Sequence, residues 1–218
     1  PHPWPKEVMD RVRRTTQKHI YGLQMEAARG YALPRTAYKL KRWGLAPPQE
    51  QATHIALATT VLHNLALLRP LVPPRVSSAV FSTLWNRWTT ARRFQRRADE
   101  IPCLLGCPHQ DGEDAVEHYM NCPVVRQAAA SRLNLHLTAE EATRSLLLFD
   151  LPPDRRSRER HLIRRRVMVY AAYRTTNAAR NQGAMTPMTA QRALVQAIHE
   201  AVQGHPGASR CIDSCYAN

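Results

Sequence analysis

Four residues between Trp85 and Pro123 have the types and spacing to share one metal ion: Cys103, Cys107, His118 and Cys122. The pattern is Cys-x3-Cys, ten residues, then His-x3-Cys. Zinc takes four thiolate or imidazole ligands at tetrahedral corners, and structural sites are closed by such ligands. The first pair brackets Leu104-Leu105-Gly106. A short turn containing Gly can aim two thiolates at one point, because Gly tolerates positive φ. The second pair lies in EDAVEHYMNCP. A spacing of four on a helix puts His118 and Cys122 on one face, one turn apart. A knuckle and a helix turn therefore converge on one zinc ion. The competing reading is three small buried hydrophobes and an ordinary helix histidine. His109 is a rival fourth ligand. It lies two residues after Cys107, a tight fit, and ranks below His118.

The second chemical feature is arginine. Arg87, Arg92, Arg93, Arg96 and Arg97 lead into the knuckle. A helix dipole favours cations only in the last turn, and five exceed that use. A second run, DRRSRERHLIRRR, carries Arg155, Arg156, Arg158, Arg160, Arg164, Arg165 and Arg166 against two acids. A charge run is usually a solvated face. Here both runs read as candidate phosphate contacts. The whole chain has 31 Lys and Arg against 17 Asp and Glu, a net of +14. That imbalance is the electrostatic footprint of a polyanion binder, most often nucleic acid. Trp and Phe among these arginines could stack on bases. Their spacing fits a core face better.

Other chemistry is missing. No Gly-rich phosphate loop or serine nucleophile motif occurs. The nearest acid cluster, Asp111, Glu113 and Asp114, lies inside the zinc loop. No small-molecule substrate is evident, and the chain reads as a non-enzyme. No run of about 18 apolar residues is present, so no membrane span is expected. The start lacks the pattern of a signal sequence, so a reducing, intracellular setting is expected, nuclear or cytoplasmic. There, paired cysteines read as metal ligands rather than disulfides. The chain begins at Pro1, which reads as a processed product, a fragment or a partial gene product.

The elements that must position these groups read as helices. Val and Ile never alternate over a strand's length, and apolar residues recur at three and four. The expected fold is all-α: a helical bundle with a small CCHC zinc knuckle inserted between helices. Helices are expected over about 5–29, 34–44 with Tyr38, Leu40, Trp43 and Leu45 as anchors, and 48–69 as the central helix. Further helices are expected over 76–97, with Val80, Phe81, Leu84, Trp85, Trp88 and Ala91 inward, then 123–133 and 138–149. The last two are 153–182, the longest, and 186–202. The histidines His54 and His63 read as surface or core-edge residues. The expected division is 1–98, a helical region; 99–125, knuckle; 126–204, C-terminal helices; and 205–218, a tail. In the tail Cys211 and Cys215 repeat the Cys-x3-Cys spacing with His205 upstream. A closed second site would lack a fourth ligand.

WNRWTTARRFQRR, CLLGC and EHYMNCPVV together resemble the region downstream of the polymerase domain in non-LTR (LINE-like) retrotransposon reverse transcriptases. GYALPRTAYKLKRWGLAPP is similar to the thumb of the same polyproteins. The resemblance covers about residues 20–125, and the knuckle is its most specific part. It implies a thumb, linker and zinc knuckle, with RNA and/or DNA as partner. It does not bring catalysis, because the palm's Tyr-x-Asp-Asp turn and its two-metal carboxylates are not in this chain. The reading that follows is a non-catalytic, zinc-dependent nucleic-acid-binding module. Two alternatives stand beside it: a zinc-stabilised helical module binding an acidic protein, and a decayed retroelement fragment.

Overall fold

A computed structural model of the protein describes residues 7, 32–41, 51–85, 87–91, 93, 101–108, 113–138 and 154–215. Among these the fold is all-α, with the Cys/His cluster lying between helices. The helices are α1 (32–41), α2 (Gln51–Leu68), α3 (Pro74–Leu84), α4 (Val116–Asn121), α5 (Pro123–Leu133), α6 (Arg155–Gln182), α7 (Pro187–Val202) and α8 (Pro206–Asp213). The expected helices over 5–29 and 138–149 fall almost wholly outside the described residues, as do Trp43 and Leu45. The chain forms two compact units, 1–58 and 59–218, divided within α2.

Proline and short polar side chains set the helix starts. Pro74, Pro123, Pro187 and Pro206 each occupy the first turn, where the missing N–H costs nothing. Asp154 caps α6 by accepting the Ser157 N–H at 2.7 Å, and Thr186 caps α7 by accepting the Thr189 N–H at 3.2 Å. Gly183 ends α6 at φ 100°, a value that favours glycine.

In the larger unit α6 is the spine. It packs against α3, α4, α5, α7 and α8. Leu162, Val167, Met168, Val169, Ala171 and Ala172 are buried along it. Ala190, Ala197 and Ala201 of α7 are buried too, and small side chains let two helix backbones approach closely. The expected central helix, α2, buries Ala58, Val61 and Leu68 but leaves Ile55 and Leu67 exposed. In α1, Leu40 is buried, whereas Tyr38 is exposed rather than an anchor.

Two elements differ from expectation. Helix α3 ends at Leu84 instead of running to Arg97. A local bond and a tertiary one break the helical pattern there: Trp88 Nε1–H donates to Thr83 Oγ1 at 2.9 Å, and the Ala91 N–H donates to Asp114 at 2.8 Å. Residues 206–213, expected in a tail, form α8. His205 caps it, its Nδ1 accepting the Ala208 N–H at 3.2 Å.

Candidate metal centre

The knuckle is built by a turn, a bridge and a short helix. The Gly106 N–H donates to the Cys103 carbonyl at 3.0 Å, closing the turn that carries Cys103 and Cys107. Gly106 has φ 65°, and a Cβ there would collide with the Met185 carbonyl. Only glycine satisfies both conditions. Pro102 and Glu113 form an antiparallel bridge that returns the chain to α4. His118 lies on α4, and Cys122 ends α4 and begins α5.

The four ligand atoms of Cys103, Cys107, His118 and Cys122 all lie within 4.8 Å of one another. Cys103 Sγ and Cys122 Sγ are 3.9 Å apart, and Cys107 Sγ is 3.3 Å from His118 Nε2. A tetrahedral zinc ion separates two sulfurs by ~3.8 Å and a sulfur from a nitrogen by ~3.6 Å, given Zn–S near 2.3 Å and Zn–N near 2.05 Å. The group fits a tetrahedral cation. Cys103 and Cys122 are buried, and Cys107 and His118 are half-buried. The Cys122 thiol beside it, then burial, push the Cys103 thiol up to about 12. A bound cation would displace that proton, since the thiolate is the ligand.

Asp114 ties this centre to the fold, and it is buried. One carboxylate oxygen accepts the Tyr119 hydroxyl at 2.7 Å and Arg180 Nη2 at 2.7 Å. The other accepts the Ala91 N–H. Tyr119 in turn accepts the Leu104 N–H at 3.3 Å, inside the knuckle turn. Burial, then the Asp114 carboxylate, hold the Tyr119 hydroxyl far above its ordinary range, so it stays a donor. The Met185 N–H donates to the Leu104 carbonyl at 2.9 Å, joining the knuckle to the α6–α7 loop. Trp88, fully buried, packs on Tyr119 and Tyr173 with ring centroids 5.8 and 5.3 Å away.

No family model, curated protein or solved structure matches this chain.

The candidate nucleic-acid residues scatter. Arg92, Arg96 and Arg97 lie outside the described residues, as does the rival ligand His109. Arg87 and Arg93 are exposed and lie beyond the end of α3. Arg155, Arg156 and Arg160 are exposed on α6, and Arg158 and Arg164 are half-buried. Arg155 pairs with Glu159 at 3.1 Å. Arg165 and Arg166 are corrections to the expected open face. Both are buried, because they fall on the side of α6 that packs into the bundle. The Arg166 side chain is fully buried and none of its three guanidinium nitrogens has a hydrogen-bond partner.

Cys211 and Cys215 do not join a metal group among the described residues. Their thiols face the carbonyls of Arg160 and Leu133. Phe81, expected inward, is 37% exposed and stacks on Trp85 at 4.1 Å. Sequence reasoning read Asp114 only as a member of an acid cluster and passed over Arg180. Their bonds span 23 and 66 residues, and no local pattern marks contacts of that range.

Proposed function

We propose that the Cys103–Cys107–His118–Cys122 centre holds zinc and that the chain is a non-catalytic nucleic-acid-binding module of a reverse transcriptase of the non-LTR type. The observation that carries this reading is the convergence of three thiols and an imidazole beside exposed guanidiniums. Ala91 is bonded to Asp114, four residues before His118, so the segment holding Arg87 and Arg93 is pinned to the clasp. Zinc would supply structure: it fixes a segment too small to form a core of its own. The net charge of +14 supplies attraction to phosphates. Among the described residues no helix is long and apolar enough to cross a membrane.

The test joins metal content to binding. The purified chain should carry one zinc ion. It should bind labelled RNA or DNA at low salt, with log affinity falling by about 0.7 to 0.9 per phosphate contact against log salt. Binding that is absent at low salt, or indifferent to salt, contradicts the reading.

A further inference from the structure

The segment after α3 and the C-terminal half of α6 enclose a groove of about 250 Å³ lined by Arg87, Thr89, Tyr173, Asn177, Arg180 and Asn181. A second hollow of about 380 Å³, lined by Leu104 and Asp114 of the knuckle, shares Thr89 and Arg180 with it. The first groove is rich in hydrogen-bond donors. It holds two guanidiniums, two carboxamides and two hydroxyls, and no carboxylate. The Arg180 charge is met by Asp114, yet its Nε is buried without a partner. Arg87 has no acidic partner among the described residues. Its guanidinium instead lies 5.6 Å from the centre of the Phe81 ring. That ring stacks on Trp85 with an interplanar angle of 18°. Arg87 therefore joins a partly exposed aromatic pair to a groove of donors.

We propose that this groove takes a single-stranded phosphodiester chain, with a phosphate at Arg87 and the Asn177 and Asn181 amides and a base on the Phe81–Trp85 plate. The proposal rests on the nucleic-acid reading above and moves its main contact. The contact lies beside the clasp, on the segment after α3 and the C-terminal half of α6, rather than on the arginine run of α6. The chemistry matches the ligand on two counts. Guanidinium and amide N–H groups donate to phosphate oxygens, and guanidinium does so in a bidentate fork. Base stacking on an aromatic face is tolerant of sequence and unavailable to a paired duplex. The metal centre would hold one wall of the groove in place through Asp114 and Arg180.

The test compares Arg87→Glu, Asn181→Asp and Arg192→Glu with the unaltered chain, using zinc-loaded protein. Arg87, Asn181 and Arg192 are all exposed, so none is needed for the core. Arg192→Glu changes the net charge by the same amount as Arg87→Glu, which isolates position from overall charge. The probes are a fluorescein-labelled 12-nucleotide RNA, the DNA of the same sequence, and the matching DNA duplex. Arg87→Glu is expected to weaken single-strand binding at least tenfold and to flatten the salt slope by about 0.7. Asn181→Asp should weaken it severalfold, and Arg192→Glu should stay within about twofold. Duplex binding should change no more in Arg87→Glu than in Arg192→Glu. A loss in Asn181→Asp on RNA alone overturns the phosphate contact of that amide; a loss on both RNA and DNA supports it. Equal effects of Arg87→Glu and Arg192→Glu on single strands overturn the groove while leaving general nucleic-acid binding in place. An unaltered chain that binds none of the probes at low salt overturns both.

Discussion

Arg180 and Arg166 lie on one helix, about 21 Å apart at the rise of an α-helix. In the sequence they look alike, two arginines among many. In the structure they are opposites. Arg180 meets the Asp114 carboxylate at 2.7 Å and the Asn177 side-chain oxygen at 3.0 Å. Arg166 is fully enclosed, with no partner for any guanidinium nitrogen. Burial and the neighbouring Arg165 charge both work against its protonated form. The comparison teaches that the charge near the clasp meets a counter-charge, while the buried charge of Arg166 in the arginine run is a cost to the fold.

The largest expected effect breaks the satisfied side. Asp114→Ala strands the Arg180 charge, the Tyr119 hydroxyl and the Ala91 N–H together. Removing one partner of a buried pair costs about 3–5 kcal/mol. Chemical denaturation should show a loss of that size, and Asp114→Ala with Arg180→Met should recover part of it. A loss below about 1 kcal/mol would mean the network is not structural.

The unsatisfied side should respond with the opposite sign. Arg166→Met keeps most of the volume and removes the stranded charge. Replacing buried charged groups by well-packed apolar side chains of similar volume is often neutral or stabilising, by up to roughly 1–4 kcal/mol. A higher unfolding midpoint in denaturant is expected. A lower one would show that Arg166 has a counter-charge in solution.

Gly106→Ala tests the seam between knuckle and α6–α7 loop. Positive φ for a residue with a Cβ costs on the order of 1–3 kcal/mol, and here the methyl also meets the Met185 carbonyl. The melting temperature should fall, and the affinity for zinc should fall with it.

The smallest effect is at the start of α6. The Ser157 N–H holds the Asp154 carboxyl below its usual range. A depressed carboxyl contributes stability above the unfolded value, about 3.9, and loses it as pH falls through the folded value. Asp154→Ala should lower the melting temperature slightly at pH 7, and the two curves should meet in strong acid. Asp154→Asn should keep most of the cap.

Much of this was legible in the sequence. The metal group was, because Cys-x3-Cys and His-x3-Cys are local spacings that local turns convert into geometry. The helix starts at Pro123, Asp154 and Pro187 were legible for the same reason. The ends were less so. The pattern from Val76 to Arg97 reads as one helix, yet Thr83, Trp88 and Asp114 stop it at Leu84 through a local bond and a tertiary one. Arg165 and Arg166 read as candidate phosphate contacts because composition does not say which side of a helix meets a neighbour. His205 read as part of a tail, upstream of a cysteine pair that lacks a fourth ligand, and it became a cap because Pro206 allowed a helix to start beside it.

The central claim is that three sulfurs and one imidazole hold a cation that shapes the knuckle. Metal content of the unaltered chain and of Cys122→Ser, purified without added metal, tests it most directly. One zinc ion per chain, falling to a small fraction in Cys122→Ser with a loss of stability on the order of 4 kcal/mol or more, is the predicted result. No bound metal in the unaltered chain, with full stability retained after chelation, would contradict it.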